Sequence, residues 1–379
     1  MKKKIIIVTQ SEFTRKEFEK NSIKNFIDNN VKIEVWVINK IIKSNYKIDQ
    51  KILLKHKNIK IKIIESLNKL NYYLNKEKNI SRSCLFDMKI NLSFRTLSFF
   101  KLFFLYNFDY IVFPGNELSK NNFHYSLYLK FINLFLLIYF LFSKVKINYA
   151  KYVYLISKKK DLSNNLLVSK KSKFILGHHA DYDKYLEEKK KILTKHKFKY
   201  FVFLDQNVPH HTDLKRNSTA DVNEKKYYTS LLNFFTKTEN QFKYKYLIAP
   251  HPRADIRILK KYFGSRVSAY PAIKLVRNCE FVVSHDSDST NFAFLFNKPI
   301  VPIINEQLIN SKHSHKKELT SFCKIAKLKL FDISTDVIKK TDLTINKKNY
   351  SFFISHYINF KKSQYNRAKI IMNNIKFNK

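Results

Sequence analysis

Two short clusters carry residue types suited to handling a phosphate. Pro250-His251-Pro252-Arg253 sets an imidazole and a guanidinium around a proline, and Ser284-His285-Asp286-Ser287-Asp288-Ser289-Thr290 gathers four hydroxyls. Cationic donors and hydroxyls together can stabilise a departing anion without a metal. Carboxylates able to take a proton stand in Asp205-Gln206-Asn207 and in Pro114-Gly115-Asn116-Glu117. His178 and His179 are adjacent, but chain neighbours point in different directions and no partner set at ligand spacing accompanies them, so no metal site is expected.

These clusters need strands behind them. Tyr200 to Leu204 and Phe281 to Val283 are short apolar runs that read as strands, Tyr244 to Ala249 is a short run with an apolar end, and a polar turn follows each. A helix is expected to open with Pro252 in its first turn, and another to run from Asn291 to Phe296. Polar turns at the carboxyl ends of consecutive parallel strands are where open α/β sheets place ligands, and the next helices aim N–H groups at anions. His251, Pro252, Arg253, Ser287, Ser289 and Thr290 are therefore expected to bind the phosphate of a ligand.

The first half reads as another α/β unit. Ile5 to Val8 is a continuous β-branched run, Ser11 is placed to cap a helix through Asn29, and Val31 to Ile38 alternates with period two. No Gly-x-Gly-x-x-Gly turn follows the first strand, which argues against a dinucleotide in this half. Further strands are expected at Ile59 to Ile64 and Tyr110 to Phe113, with a helix from Ser93 to Phe104. Gly115, one of 3 glycines in the chain, marks a tight turn or a close ligand approach. Phe123 to Phe142 has a helical pattern rich in Phe and Leu, and the stretch from Lys144 to Lys160 is basic and aromatic. Together they predict either a buried helix or an anionic-membrane-facing patch. A composition shift puts the domain boundary near 170, giving domains 1–170 and 171–379, and a last helix is expected from Tyr350 to Phe377. The expected class is α/β, with two Rossmann-like domains facing across a cleft and a C-terminal helix.

Composition narrows the function. The chain has 379 residues and a formal net charge of +42. Lys far outnumbers Arg, and Lys is the poorer choice for bidentate base or phosphate recognition, so the charge reads as a solvated basic surface rather than a sequence-specific nucleic-acid site. Cys84, Cys279 and Cys323 offer no disulfide framework, which fits a reducing cytosol. Met1 to Val8 starts positively but lacks the apolar length of a signal peptide.

At His251-Pro252 and Ser287 to Thr290 the sequence resembles bacterial sialyltransferase and polysialyltransferase-type glycosyltransferases of the GT-B fold. Those enzymes carry an acidic motif, then a His-Pro motif, then a Ser-Ser/Thr motif, and that order is repeated here. Gly177, Phe203 to Asn207, Pro250 to Arg253 and Lys298-Pro299-Ile300 also look like capsule and surface-polysaccharide proteins of nonulosonate transfer. The resemblance covers the second half of the chain. It departs at Gly115-Asn116-Glu117, where the family has two carboxylates followed by glycine, and at Asp286 and Asp288, which interrupt the hydroxyl motif.

The resemblance implies a metal-independent transferase with no cofactor, moving a nonulosonic acid from a CMP-activated donor to a glycan or lipid-linked acceptor. Glycerophosphotransferases that use CDP-glycerol share the His-Pro and Ser-rich pattern and stay open as an alternative, as does a non-catalytic basic protein binding nucleic acid or membrane. The general base is expected to be Glu117, with Asp205 next and Asp181 or Asp183 as further candidates. A cytoplasmic protein attached peripherally to the inner face of the membrane is expected.

Overall fold

The computed structural model describes residues 3–11, 13–42, 54–80, 84–114, 123–156, 162, 165–192, 196–211, 221–285, 287–312 and 315–375. The chain divides into two compact units, Met1–Asp183 with Asn359–Lys379, and Lys184–Ile358. Both are α/β units with a parallel sheet of Rossmann type, as the sequence class required.

The first unit holds a sheet of seven described strands: β1 (Lys4–Thr9), β2 (Lys32–Val37), β3 (Ile59–Ile63), β4 (Cys84–Met88), β5 (Tyr110–Val112), β6 (Tyr152–Leu155) and β7 (Lys173–Leu176). Their order is β3-β2-β1-β4-β5-β6-β7 and every pairing is parallel. The chain reverses direction across the sheet between β1 and β4, the doubly wound arrangement. Strands covered on both faces need apolar residues at both parities. Ile6, Val8, Trp36, Phe86 and Met88 build one layer with the helix Leu97–Phe104, while Ile5, Ile7, Val35, Leu85 and Ile111 build the other with Ala368, Ile370 and Ile371. Phe99, Phe100 and Phe103 are fully buried, and each such side chain stabilises the fold by about 1.5–3 kcal/mol.

The second unit holds β8 (Tyr200–Leu204), β9 (Lys245–Ala249), β10 (Val282–Ser284), β11 (Ile300–Ile304) and β12 (Phe331–Asp332), all parallel, in the order β12-β11-β10-β8-β9. Here the reversal falls between β8 and β10. The helix Glu224–Phe242 covers one face through Tyr227, Leu231 and Phe235.

Several elements differ from the sequence expectation. The helix expected from Ser11 to Asn29 is two pieces, Arg15–Lys20 and Ile23–Asp28, because Ser22 between them sits at φ 52 and its hydroxyl donates to Asp183. No helix opens at Pro252. His251 to Ala254 form a turn closed by the Ala254 N–H on the His251 carbonyl at 2.9 Å, and the helix Ile256–Phe263 starts where Asp255 accepts the Arg257 N–H. The last helix is interrupted as well. Lys347–Phe353 runs into a π-helical turn, Asn359 bridges antiparallel to His178, and Arg367–Asn374 follows. The chain divides at Asp183 rather than at 170, since β7 adds to the first sheet and the Arg367–Asn374 helix packs on that sheet's face. The linker expected around Lys158 to Lys160 lies outside the described residues.

Candidate functional site

In the second unit the carboxyl ends of β9, β8 and β10 lie side by side, and each is followed by one of the polar clusters. An apolar strand stops when its next residue must leave the ladder, so Asp205, His251 and His285 are carried to one edge of the sheet. That edge includes the β8–β10 reversal, where open α/β sheets leave a crevice for ligands.

Asp205 is buried and is the hub. Its Oδ1 accepts the Asn207 N–H at 3.0 Å and its Oδ2 accepts the His251 N–H at 3.3 Å. Burial pushes its carboxyl up to about 6, against the pull of the N–H groups of Asn207, His251 and Gln206 and of the nearby His210. Asn207 makes the tight exit from β8 possible by adopting φ 54, a left-handed conformation Asn tolerates.

His251 is half-buried. Its Nδ1 accepts the Arg253 N–H at 3.2 Å, and its ring lies 5.6 Å from that of His211, centroid to centroid. Pro252 and Arg253 are exposed. On the other side of β8, Ser287 caps the short turn Asp288–Thr290 by accepting the Ser289 N–H at 3.3 Å. Ser287 and Ser289 are half-buried, whereas Thr290 is buried with its hydroxyl donating to Ser284 at 3.1 Å. Asp286 lies outside the described residues, and so do Gly115, Asn116 and Glu117.

His285 is a residue whose role the sequence did not reveal. It is buried, with Nδ1 donating to the Ile303 carbonyl at 2.7 Å. Nε2 faces the Tyr227 hydroxyl at 2.8 Å. The imidazole thereby ties the end of β10 to β11 and to the long helix behind the sheet. Its only sequence signal was position, directly after an apolar strand.

The first unit holds its own polar groups at the β1–β4 reversal. Asp87, buried in β4, takes the Lys89 ammonium on Oδ2 at 2.9 Å while Oδ1 has no hydrogen-bond partner. Burial holds its carboxyl above the usual range despite Lys89. Lys89 also sits 3.6 Å from the centre of the Phe113 ring. The other expected acids are elsewhere. Asp181 lies 3.1 Å from the His179 ring, and Asp183 is bound to Arg367 at 3.0 Å. Among the described residues no group of three or more His, Cys, Asp or Glu is placed to hold a metal ion. Cys84, Cys279 and Cys323 are buried and form no disulfide with one another.

No protein-family model matches the chain. A search of curated proteins also finds no match. Solved structures with similar coordinates include a UDP-N-acetylglucosamine 2-epimerase from Rickettsia bellii, at 14% identity over 98% of this chain and 95% of that one, TM-score 0.45. Others are Phytolacca americana UGT2 complexed with UDP-2fluoro-glucose and pterostilbene, at 8% identity over 93% and 90%, TM-score 0.49, and Acinetobacter baumannii MurG, at 10% over 94% and 96%, TM-score 0.43. Likeness at this level carries no argument about chemistry, and the α/β reading rests on the two sheets themselves.

Proposed function

We propose that the chain is a glycosyltransferase that moves a nonulosonic acid from its CMP-activated donor to a cell-surface glycan precursor, without a metal. The observation that carries this reading is the gathering of Asp205, His251, Ser287 and Ser289 along one strand-end edge that includes the β8–β10 reversal. In the transfer the acceptor hydroxyl oxygen bonds to the anomeric carbon, the bond from that carbon to the phosphate oxygen breaks, and CMP leaves with the electron pair. One phosphate then needs stabilising. His251 with Arg253, and the hydroxyls of Ser287 and Ser289, supply charge and donors for it, and Pro252 and Thr290 shape the two turns.

The acceptor proton must pass to a carboxylate. We assign this to Glu117. Asp205 already uses one oxygen on each of two backbone N–H groups, which suits it to positioning His251. We further place the protein in the cytoplasm, peripherally on the inner face of the membrane, where lipid-linked acceptors lie.

Calorimetric titration with CMP and with CDP-glycerol tests the donor. CMP is expected to bind the wild type and to bind more weakly after His251→Ala. Preference for CDP-glycerol would replace the nonulosonate reading with a glycerophosphotransferase.

A further inference from the structure

The helix Phe123–Phe142 in the first unit presents an apolar stripe outward. Among its described side chains, Leu136 and Phe140 are buried, four residues apart on one face, and the Phe140 ring packs 5.6 Å from Phe104. At 100° per residue the opposite face is Phe131, Leu134, Phe135, Ile138 and Phe142. All five are exposed, Phe142 to 85%, and Leu141 beside them to 78%. A protein surface carries scattered apolar residues routinely, but a contiguous aromatic and aliphatic stripe marks a surface that meets something apolar.

The surrounding charge selects the partner. From Leu118 to Lys160 the sequence has no Asp or Glu and carries lysines at 120, 130, 144, 146, 151, 158, 159 and 160. Lys130, Lys144 and Lys146 are exposed at the two ends of the stripe, and the Lys101 ammonium lies 5.8 Å from the Tyr139 ring centre at its margin. A second copy of this chain would bring another surface of a +42 protein against these lysines. Anionic lipid headgroups would neutralise them instead, at about 1 kcal/mol per Lys near the surface. Among the described residues no helix is long and apolar enough to cross a membrane.

We propose that this helix lies flat in the headgroup region of an anionic bilayer, with Phe135, Leu141 and Phe142 reaching the acyl boundary and the flanking lysines on phosphate headgroups. The inference rests on the peripheral placement proposed above and names the surface that produces it. The test is flotation of the full chain with vesicles of phosphatidylglycerol and phosphatidylcholine, and with phosphatidylcholine alone, at low and high salt. The wild type is expected to float with the anionic vesicles at low salt and to release as salt rises.

Phe135→Ser/Phe142→Ser is expected to weaken flotation about tenfold or more. Both side chains are exposed, so the thermal melt should not move. Turnover of a CMP-activated donor onto a soluble acceptor, followed in parallel, separates the surface from the chemistry. Lost flotation with turnover kept supports the membrane assignment, and turnover absent in the wild type that still floats removes the transferase reading alone. A wild type that stays unbound at low salt, or a variant that floats equally well, overturns the proposal. A wild-type dimer that the variant dissolves, without vesicle binding, would make the stripe an interface between copies.

Discussion

The carboxylate of Asp205 accepts the backbone N–H of His251 at 3.3 Å, so a buried acid at the end of β8 holds the loop that follows β9. The two strands pair directly, and the contact fixes how His251 leaves the sheet. Its energetic consequence depends on pH. Burial raises the carboxyl from 3.8 to about 6, so between those values the folded chain keeps a proton that the unfolded chain has lost. The stability linked to this group is fully present below about pH 4 and is lost as pH rises through about 6. Denaturant melts across this window should show the wild type losing on the order of 2–3 kcal/mol relative to Asp205→Asn. Parallel curves for the two proteins would mean that Asp205 is not desolvated as described.

Turnover distinguishes the roles of the acids. Glu117→Gln is expected to lower transfer by about two orders of magnitude or more while CMP affinity stays within a few-fold. Asp205→Asn should weaken donor binding along with turnover, because one N–H of its cradle would meet an amide NH2 instead of an oxygen. Unchanged turnover in the Glu117 variant would return the base to the aspartates.

His251→Ala should reduce both donor affinity and turnover. A variant that turns over donor at the wild-type rate would remove His251 from the site, and with it the central argument for a phosphate ligand at this edge.

Gly177 has no room for a side chain. A Cβ there would lie 2.0 Å from the Tyr154 hydroxyl oxygen. That hydroxyl accepts the His178 N–H at 2.9 Å and donates to the His178 carbonyl at 3.0 Å, so the ring cannot swing aside. Gly177→Ala is expected to destabilise by about 1–3 kcal/mol in denaturant melts. Combined with Tyr154→Ala it should cost less than the sum of the two single changes.

Arg367 ties the returning C-terminal segment to the first unit through Asp183 at 3.0 Å and Ser22 at 3.2 Å, with both charged side chains nearly out of solvent. Removing one partner leaves a buried charge, so Arg367→Ala should cost about 3–5 kcal/mol. Lys at 367 should rescue little, because a single ammonium cannot reproduce the fork. A melt of the Ala variant within about 1 kcal/mol of wild type would show the pair to be peripheral.

Legibility in the sequence followed how local each signal was. β8, β9 and β10 were visible because each has successive apolar residues leading into a polar turn. β4 was not, since Asp87 lies inside it and only the surrounding layers explain a buried carboxylate there. β6, buried at all four positions, and β7, in which Ile175 is the buried residue, were hidden in lysine-rich stretches. Pro252 looked like a helix start, yet Asp255 is the residue with an oxygen placed to cap one. Of the site, the His-Pro and Ser-rich turns could be read directly. The bonds from Asp205 to His251 and from His285 to Tyr227 span 46 and 58 residues, so only the assembled sheet reveals them.

The first unit is discontinuous in the chain, closed by residues that come after the whole of the second unit. Synthesis runs from the N-terminus at about 5–20 residues per second, so β1 to β7 emerge while the segment that covers one of their faces does not yet exist. The second unit, continuous in sequence, can fold on the ribosome as it emerges. The first must wait for Arg367 to Ile375, and a chain stopped short of them would lack the helix that packs on β7 and on the Ile23–Asp28 helix. A truncation at the far end of the polypeptide would therefore damage the unit at its beginning.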